Sequence, residues 1–241
     1  MNAAPMSMAR EFDLGRPGVP SETALRELNL WLHRGLTPNG PKQVRVLHPD
    51  GAHSIAAGVD ADISIDVLGH AGYYVAGMNQ HATVTVHGNA GTGAAENMMS
   101  GLVRIKGFAS NSAGASAHGG TLVIEGDASL RCGISLKGGD IVVGGSAGSF
   151  TAFMAQAGRI VICGDAGDAL GDSLYEAVIY VRGKVASLGA DARFEEMTAA
   201  DMESLRELLA IAGFNHDPTS FRKVASSRSL YHWNADANQE Y

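Results

Sequence analysis

Residues 121–167, TLVIEGDASLRCGISLKGGDIVVGGSAGSFTAFMAQAGRIVICGDAG, state one phrase three times: TLVIEGDAS, DIVVGGSAG and RIVICGDAG, each 19 residues after the last. Upstream stand SIDVLGHAG (64–72), TVTVHGNAG (83–91) and LVRIKGFAS (102–110), and downstream VIYVRG (178–183). The anchor glycines are Gly69, Gly88, Gly107, Gly126, Gly145, Gly164 and Gly183, at a constant interval of 19. A fixed period of this length is the mark of a solenoid, in which each repeat stacks only on its neighbours.

The columns carry the physics. Two residues before each anchor sit Val67, Val86, Ile105, Ile124, Val143, Ile162 and Val181. Four before it sit Ile65, Val84, Val103, Leu122, Ile141, Ile160 and Ile179. Spacing of two places both columns on one face of a strand, and β-branched side chains favour such a surface. The anchor is then expected to turn a corner, glycine reaching positive φ without a Cβ penalty. Small residues recur two, seven and thirteen positions past it, as in Ala128, Gly133 and Gly139, which suits tight turns around a narrow cross-section. The pattern L-x-x-L-x-L of leucine-rich repeats is absent, and 19 is no multiple of the hexapeptide period. The fold expected is an all-β solenoid, a parallel right-handed β-helix of about seven 19-residue coils with terminal α-helices.

Three units follow: an N-terminal arm and capping helix (1–42), the β-helix (43–193), and a C-terminal helix with a docking tail (194–241). SETALRELNLWLHRGL (21–36) reads as an amphipathic helix with Ser21 as N-cap and Leu25, Leu28, Trp31 and Leu32 on one face. TAADMESLRELLAIAG (198–213) reads likewise, with a capping box from Thr198 and Asp201 and a stop at Gly213. Both helices suit plugs for the ends of the rod. Residues 43–59 supply an imperfect first coil. The column three before the anchor should face outward, yet it runs Asp66, Thr85, Arg104 and then Val123, Val142, Val161, Tyr180. An exterior apolar ladder requires a cover, either a terminal segment or a partner subunit. The tail keeps Phe214, Phe221, Leu230, Tyr231, Trp233 and Tyr241 among Arg222, Lys223 and Arg228, as a docking arm would.

The chemistry is sparse. A net charge of −7 without a polybasic run argues against nucleic acid and anionic membranes as partners. With no membrane span or leader in view, a cytoplasmic protein is expected. Cys132 and Cys163 fit no metal-ligand spacing and read as buried thiols, and no two of the nine histidines have the i, i+4 spacing of a zinc helix. Asp127 and Asp165 share the column one past the anchor, whose other members are ordinary turn residues. GDAGDALG (164–171) is neither a P-loop nor a dinucleotide fingerprint. No catalytic, cofactor-binding or metal-binding residue is nominated. The corner segments offer a candidate partner-facing edge: Asn79, Gln80, Glu96, Asn97, Arg131, Lys137 and Gln156, interleaved with methionines.

The repeat G-x-A-G…G-x-I-x-V-x-G over about residues 60–190 resembles the GXGXG family, the β-helical module at the C-terminal end of the glutamate synthase large subunit. Adding YYVAGMNQ (73–80), GAAENMMSG (93–101), RCGISLKG (131–138), AFMAQ (152–156), GDAGDALGDSLYEA (164–177) and SSRSLYHW (226–233), the chain is most similar to stand-alone GXGXG subunits of N-methylglutamate synthases. That resemblance implies a non-catalytic assembly subunit of a hetero-oligomer. It would bridge a class II glutamine amidotransferase-like subunit and a glutamate synthase-like subunit. FMN and an iron–sulfur cluster are expected in the latter and no cofactor in this chain. The reaction implied turns glutamate and methylamine into N-methylglutamate and ammonia. The same fold family also implies an alternative, the GXGXG-type subunit of a formyltransferase/hydrolase or formylmethanofuran dehydrogenase-type complex.

Overall fold

The computed structural model describes residues 9–227. Its framework is one sheet whose strands follow the sequence: β1 (Arg10–Asp13), β2 (Gln43–Leu47), β3 (Ser64–Leu68), β4 (Thr83–Val86), β5 (Leu102–Ile105), β6 (Thr121–Ile124), β7 (Lys137–Val143), β8 (Ala157–Ile162) and β9 (Val178–Val181). Each pairs in parallel with the next, and from β3 to β9 the register is the sequence period: Ile65 meets Val84, which meets Val103, and so to Ile179. Chain continuity between parallel neighbours demands a full turn per strand, which makes the stack a β-solenoid of about seven coils. The first coil is longer, Val44 pairing with Ile65 at 21 residues. The two predicted aliphatic columns are wholly inside the rod.

At the corners the anchors behave differently from expectation. Gly69 alone among them has a positive φ, of 151°. What requires glycine at the others is close stacking. A Cβ on Gly88 would lie 2.7 Å from the carbonyl of Gly69, one on Gly126 2.8 Å from the Gly107 oxygen, and one on Gly164 2.7 Å from Gly145. The glycines form a ladder in which successive coils approach backbone to backbone. Left-handed backbone falls further along each coil, at Arg131, Gly133, Ser135 and Gly139 in one coil and at Phe150, Ala152, Met154 and Gly158 in the next. The alanine column beside the anchors, Ala71 through Ala166, is buried and bridges coil to coil.

Helix α1 (Ser21–Arg34) closes the N-terminal end. Leu28 and Leu32 enter the core, and Asn29 bonds the carbonyl of Ser54 and the N–H of Ala56. Pro20, not Ser21, is its N-cap, and no side chain caps it. The proline's fixed φ leads into the helix and puts Ser21 inside the first turn.

Helix α2 (Ala199–Ala212) plugs no end. It lies along the outer face of the sheet, where Leu205, Leu208 and Leu209 pack on Val123, Val142, Val161 and Tyr180. The exterior ladder is thus covered by the chain itself. The capping box of Thr198 and Asp201 forms as predicted, and Gly213 takes the left-handed cap at φ 78°. Arg104, the last polar member of the outward column, donates to the carbonyls of Ile211 (2.8 Å) and Ala212 (2.9 Å). A cation there complements the negative end of the helix dipole.

Beyond α2, β11 (Arg222–Ser226) runs antiparallel to β9, and β10 (Ala192–Glu195) pairs antiparallel outside it. The parallel stack ends under this hairpin-like lid, which the sequence pattern did not reveal. Phe214 and Phe221 pack with α2 on the rod, so this part of the tail docks on its own chain. Arg228, Leu230, Tyr231, Trp233 and Tyr241 lie outside the described residues. No helix among the described residues is long and apolar enough to cross a membrane.

Candidate functional site

The column one past the anchor holds the polar residues most open to a chemical reading, and the structure gives them a common task. His70 Nδ1 accepts the backbone N–H of Asn89 (2.9 Å), and Asn89 Oδ1 that of Phe108 (3.1 Å). Asp127 Oδ1 accepts from Ser146 N–H (2.7 Å), Ser146 Oγ from Asp165 N–H (3.0 Å), and Asp165 Oδ1 from Lys184 N–H (2.7 Å). Each acceptor reaches one coil onward, along the edge of the glycine ladder. Asp127 and Asp165 are therefore tied into a structural ladder rather than facing each other as an acid–base pair. Sequence reading placed these residues in one column but missed the ladder. The available signal was that His, Asn, Asp and Ser all offer an acceptor one or two bonds beyond Cβ.

The thiols are held away from chemistry. Cys132 lies inside the rod, where burial pushes its thiol up to about 12; Cys163 sits under α2, raised to about 11 by burial. A thiolate is the ligating and nucleophilic form, and both surroundings oppose it. The histidines mostly bond locally across adjoining turns. His48 Nδ1 meets Asp13 (2.8 Å), His81 meets Asp60 (3.0 Å), His87 meets Asp66 (2.7 Å), and His53 Nδ1 accepts the N–H of Tyr73 (2.9 Å). The His48–Asp13 hydrogen bond raises the histidine's pKa and lowers the carboxyl's. Among the described residues no group of three His, Cys, Asp or Glu could hold a metal ion. An open cleft of about 410 Å³ between the start of α1 and the turn after β2 is lined by Ser21, Glu22, His48, Asp50 and His53 with Leu14 and Leu25.

The candidate partner-facing edge divides. Asn79 and Met98 turn inward and are buried. Asn79 donates to the carbonyls of Ala82 and Ser100, both at 2.9 Å. Gln80, Glu96 and Asn97 are half-buried, and Arg131, Lys137 and Gln156 are exposed. Around them stand the exposed side chains of Met78, Met99, Leu130, Phe150, Met154 and Tyr175. This corner arc, opposite the face that α2 covers, is the part of the surface with groups suited to contact rather than to reaction.

No family model matches the chain. Among curated proteins it is similar to Protein GlxC of Rhizobium meliloti (strain 1021), 51% identical over 220 residues, which cover 91% of this chain and 96% of that protein.

Proposed function

The chain belongs to the GlxC family, and from that membership we propose that it is a non-catalytic assembly subunit of a multi-subunit N-methylglutamate synthase. In this reading it bridges a class II glutamine amidotransferase-like subunit and a glutamate synthase-like subunit that carries FMN and an iron–sulfur cluster. The complex forms N-methylglutamate from glutamate and methylamine and releases ammonia. The observation that carries the scaffold role is the corner ladder. From His70 to Lys184, with one break between Phe108 and Asp127, it uses the polar side chains of one column to tie successive coils into a single rod. A body stiffened coil by coil holds partners in register at little conformational cost on binding. The cysteines support the same division of labour, since one sits in the core and the other under α2. Lying in separate apolar clusters, they are not arranged to ligate one cluster together, which supports placing the iron–sulfur cluster in a partner.

The test is an affinity pull-down of the full chain from its native host, with the bound chains identified by mass spectrometry. Co-purification of an amidotransferase-like chain and a flavin and iron–sulfur chain, with methylamine-dependent N-methylglutamate formation by the assembly, is the expected result. Recovery of a formyltransferase or metal-dependent hydrolase instead would move the rod to one-carbon formyl transfer, and recovery of no partner would overturn the assembly role.

A further inference from the structure

In six successive coils, from the anchor Gly69 to Gly164, the positions five and nine past the anchor hold left-handed backbone whatever residue occupies them. At the first stand Tyr74, Gly93, Ser112, Arg131, Phe150 and Ala169, and at the second Met78, Asn97, Ser116, Ser135, Met154 and Ser173. Gly93, Ala169 and the serines show that the coil closes without a large side chain there. Outside glycine the left-handed conformation is strained, because Cβ crowds the following carbonyl oxygen. Arg131 and Phe150 nonetheless hold it at φ 59°, and Met154 at φ 55°. All three are exposed, Phe150 at 40% and Met154 at 42%. Bulky side chains kept at a conformational penalty and turned to solvent point to a use outside the chain.

The charge pattern says what kind of use. The chain has 25 acidic residues against 18 Lys and Arg, yet the arcs of three consecutive coils, 109–120, 128–139 and 147–158, contain no Asp or Glu. They do contain Arg131 and Lys137, both exposed and outside every ion pair found among the described residues. Beside α2, by contrast, Arg104 and Lys106 pair with Glu125 and Arg159 with Asp140. Leu130, 47% exposed, precedes Arg131, and Phe150 meets Phe153 edge to face at 6.0 Å. Aromatic, Met and Arg side chains on a rigid backbone are the composition of interface cores.

We propose that the corner arc of coils 109–158, centred on Leu130, Arg131, Lys137, Phe150 and Met154, is the docking surface for a partner subunit that presents carboxylates among apolar side chains. The proposal rests on the assembly reading above and names the face and the chemistry that reading leaves open. Unmatched cations on an otherwise acidic chain draw an acidic surface and disfavour a basic one, and the apolar groups between them supply the desolvated contact.

The experiment measures binding of the full chain to the purified amidotransferase-like and flavin-bearing chains, each separately, by calorimetry at two salt concentrations. R131E combined with K137E is expected to weaken one of the two interactions at least tenfold and to flatten its salt dependence. F150G is expected to weaken the same interaction while the melting temperature does not fall, because glycine relieves the left-handed strain. A wild-type chain that binds neither partner overturns both the assembly reading and this surface. Wild-type binding that neither variant alters overturns the surface alone. Self-association of the chain abolished by the same substitutions, read by light scattering, overturns the acidic partner in favour of a second copy.

Discussion

At Phe108 a rung is missing from the corner ladder. Asn89 above it accepts the Phe108 N–H, and Asp127 below accepts that of Ser146, but a phenyl ring offers no acceptor to Asp127 N–H. Phe108 is 51% exposed, so its ring contributes little to the core. Phe108→Asn places an amide oxygen where the Asn89 oxygen sits one coil earlier. The expected gain is about 0.5–1.5 kcal/mol, the usual net value of such a hydrogen bond, measured by urea unfolding. Asn89→Ala should lose a similar amount, and equal stability of all three proteins would remove the ladder's energetic role. This scale is where the sequence was least legible. The anchor column announced itself as glycine, but φ and close approach leave the same letter, and only the 2.7 Å meeting of a notional Gly88 Cβ with Gly69 separates them.

Among the elements, α2 depends on one carboxylate. Asp201 accepts from the N–H (2.8 Å) and hydroxyl (2.6 Å) of Thr198, from Tyr180 on β9 (2.9 Å) and from Lys223 on β11 (3.2 Å). Burial alone would raise its pKa, but these donors outweigh it and hold the group at about 2, against an ordinary 3.8. A depressed carboxylate stabilises the fold above its unfolded pKa and loses that contribution as pH falls through the folded one. The docking of α2 should therefore be insensitive to Asp201 from neutral pH to about 4 and weaken between about 4 and 2, by about 2 kcal/mol in total. Asp201→Asn should lack this acid-dependent loss and be less stable at pH 7, as a pH series of denaturation midpoints would show. An unchanged acid limb in the variant would assign the transition to other carboxylates. The helix itself was legible, because a capping box is local chemistry within four residues. Its location was not. The apolar run Val123, Val142, Val161, Tyr180 announced a cover without saying which segment supplies it, since that choice depends on contacts between residues far apart in sequence.

For the whole molecule the difficulty is ending a stack. Each parallel strand presents an edge that could accept another coil, and the rod would grow end to end if it stayed open. At β9 the chain answers by reversing direction: β11 fills the edge antiparallel and β10 pairs outside it. The constant 19-residue interval made the coils legible, whereas β10 and β11, of four and five residues and outside the repeat, carry no period to read. The same C-terminal segment also lays α2 on the exterior ladder, so one stretch of chain closes both the edge and the apolar face. A chain ended after Glu196 would lose both closures at once. Val123, Val142, Val161 and Tyr180, at most 2% exposed in the intact protein, would form a continuous stripe beside an unpaired strand. The inner core of the coils is separate from that stripe, so the truncated rod should retain its β-sheet circular dichroism while binding an apolar dye and eluting as oligomers in size-exclusion with light scattering. A truncated chain that remains monomeric and silent to the dye would mean that the ladder tolerates water, and the reason for α2 would then have to be sought in what it offers to other chains.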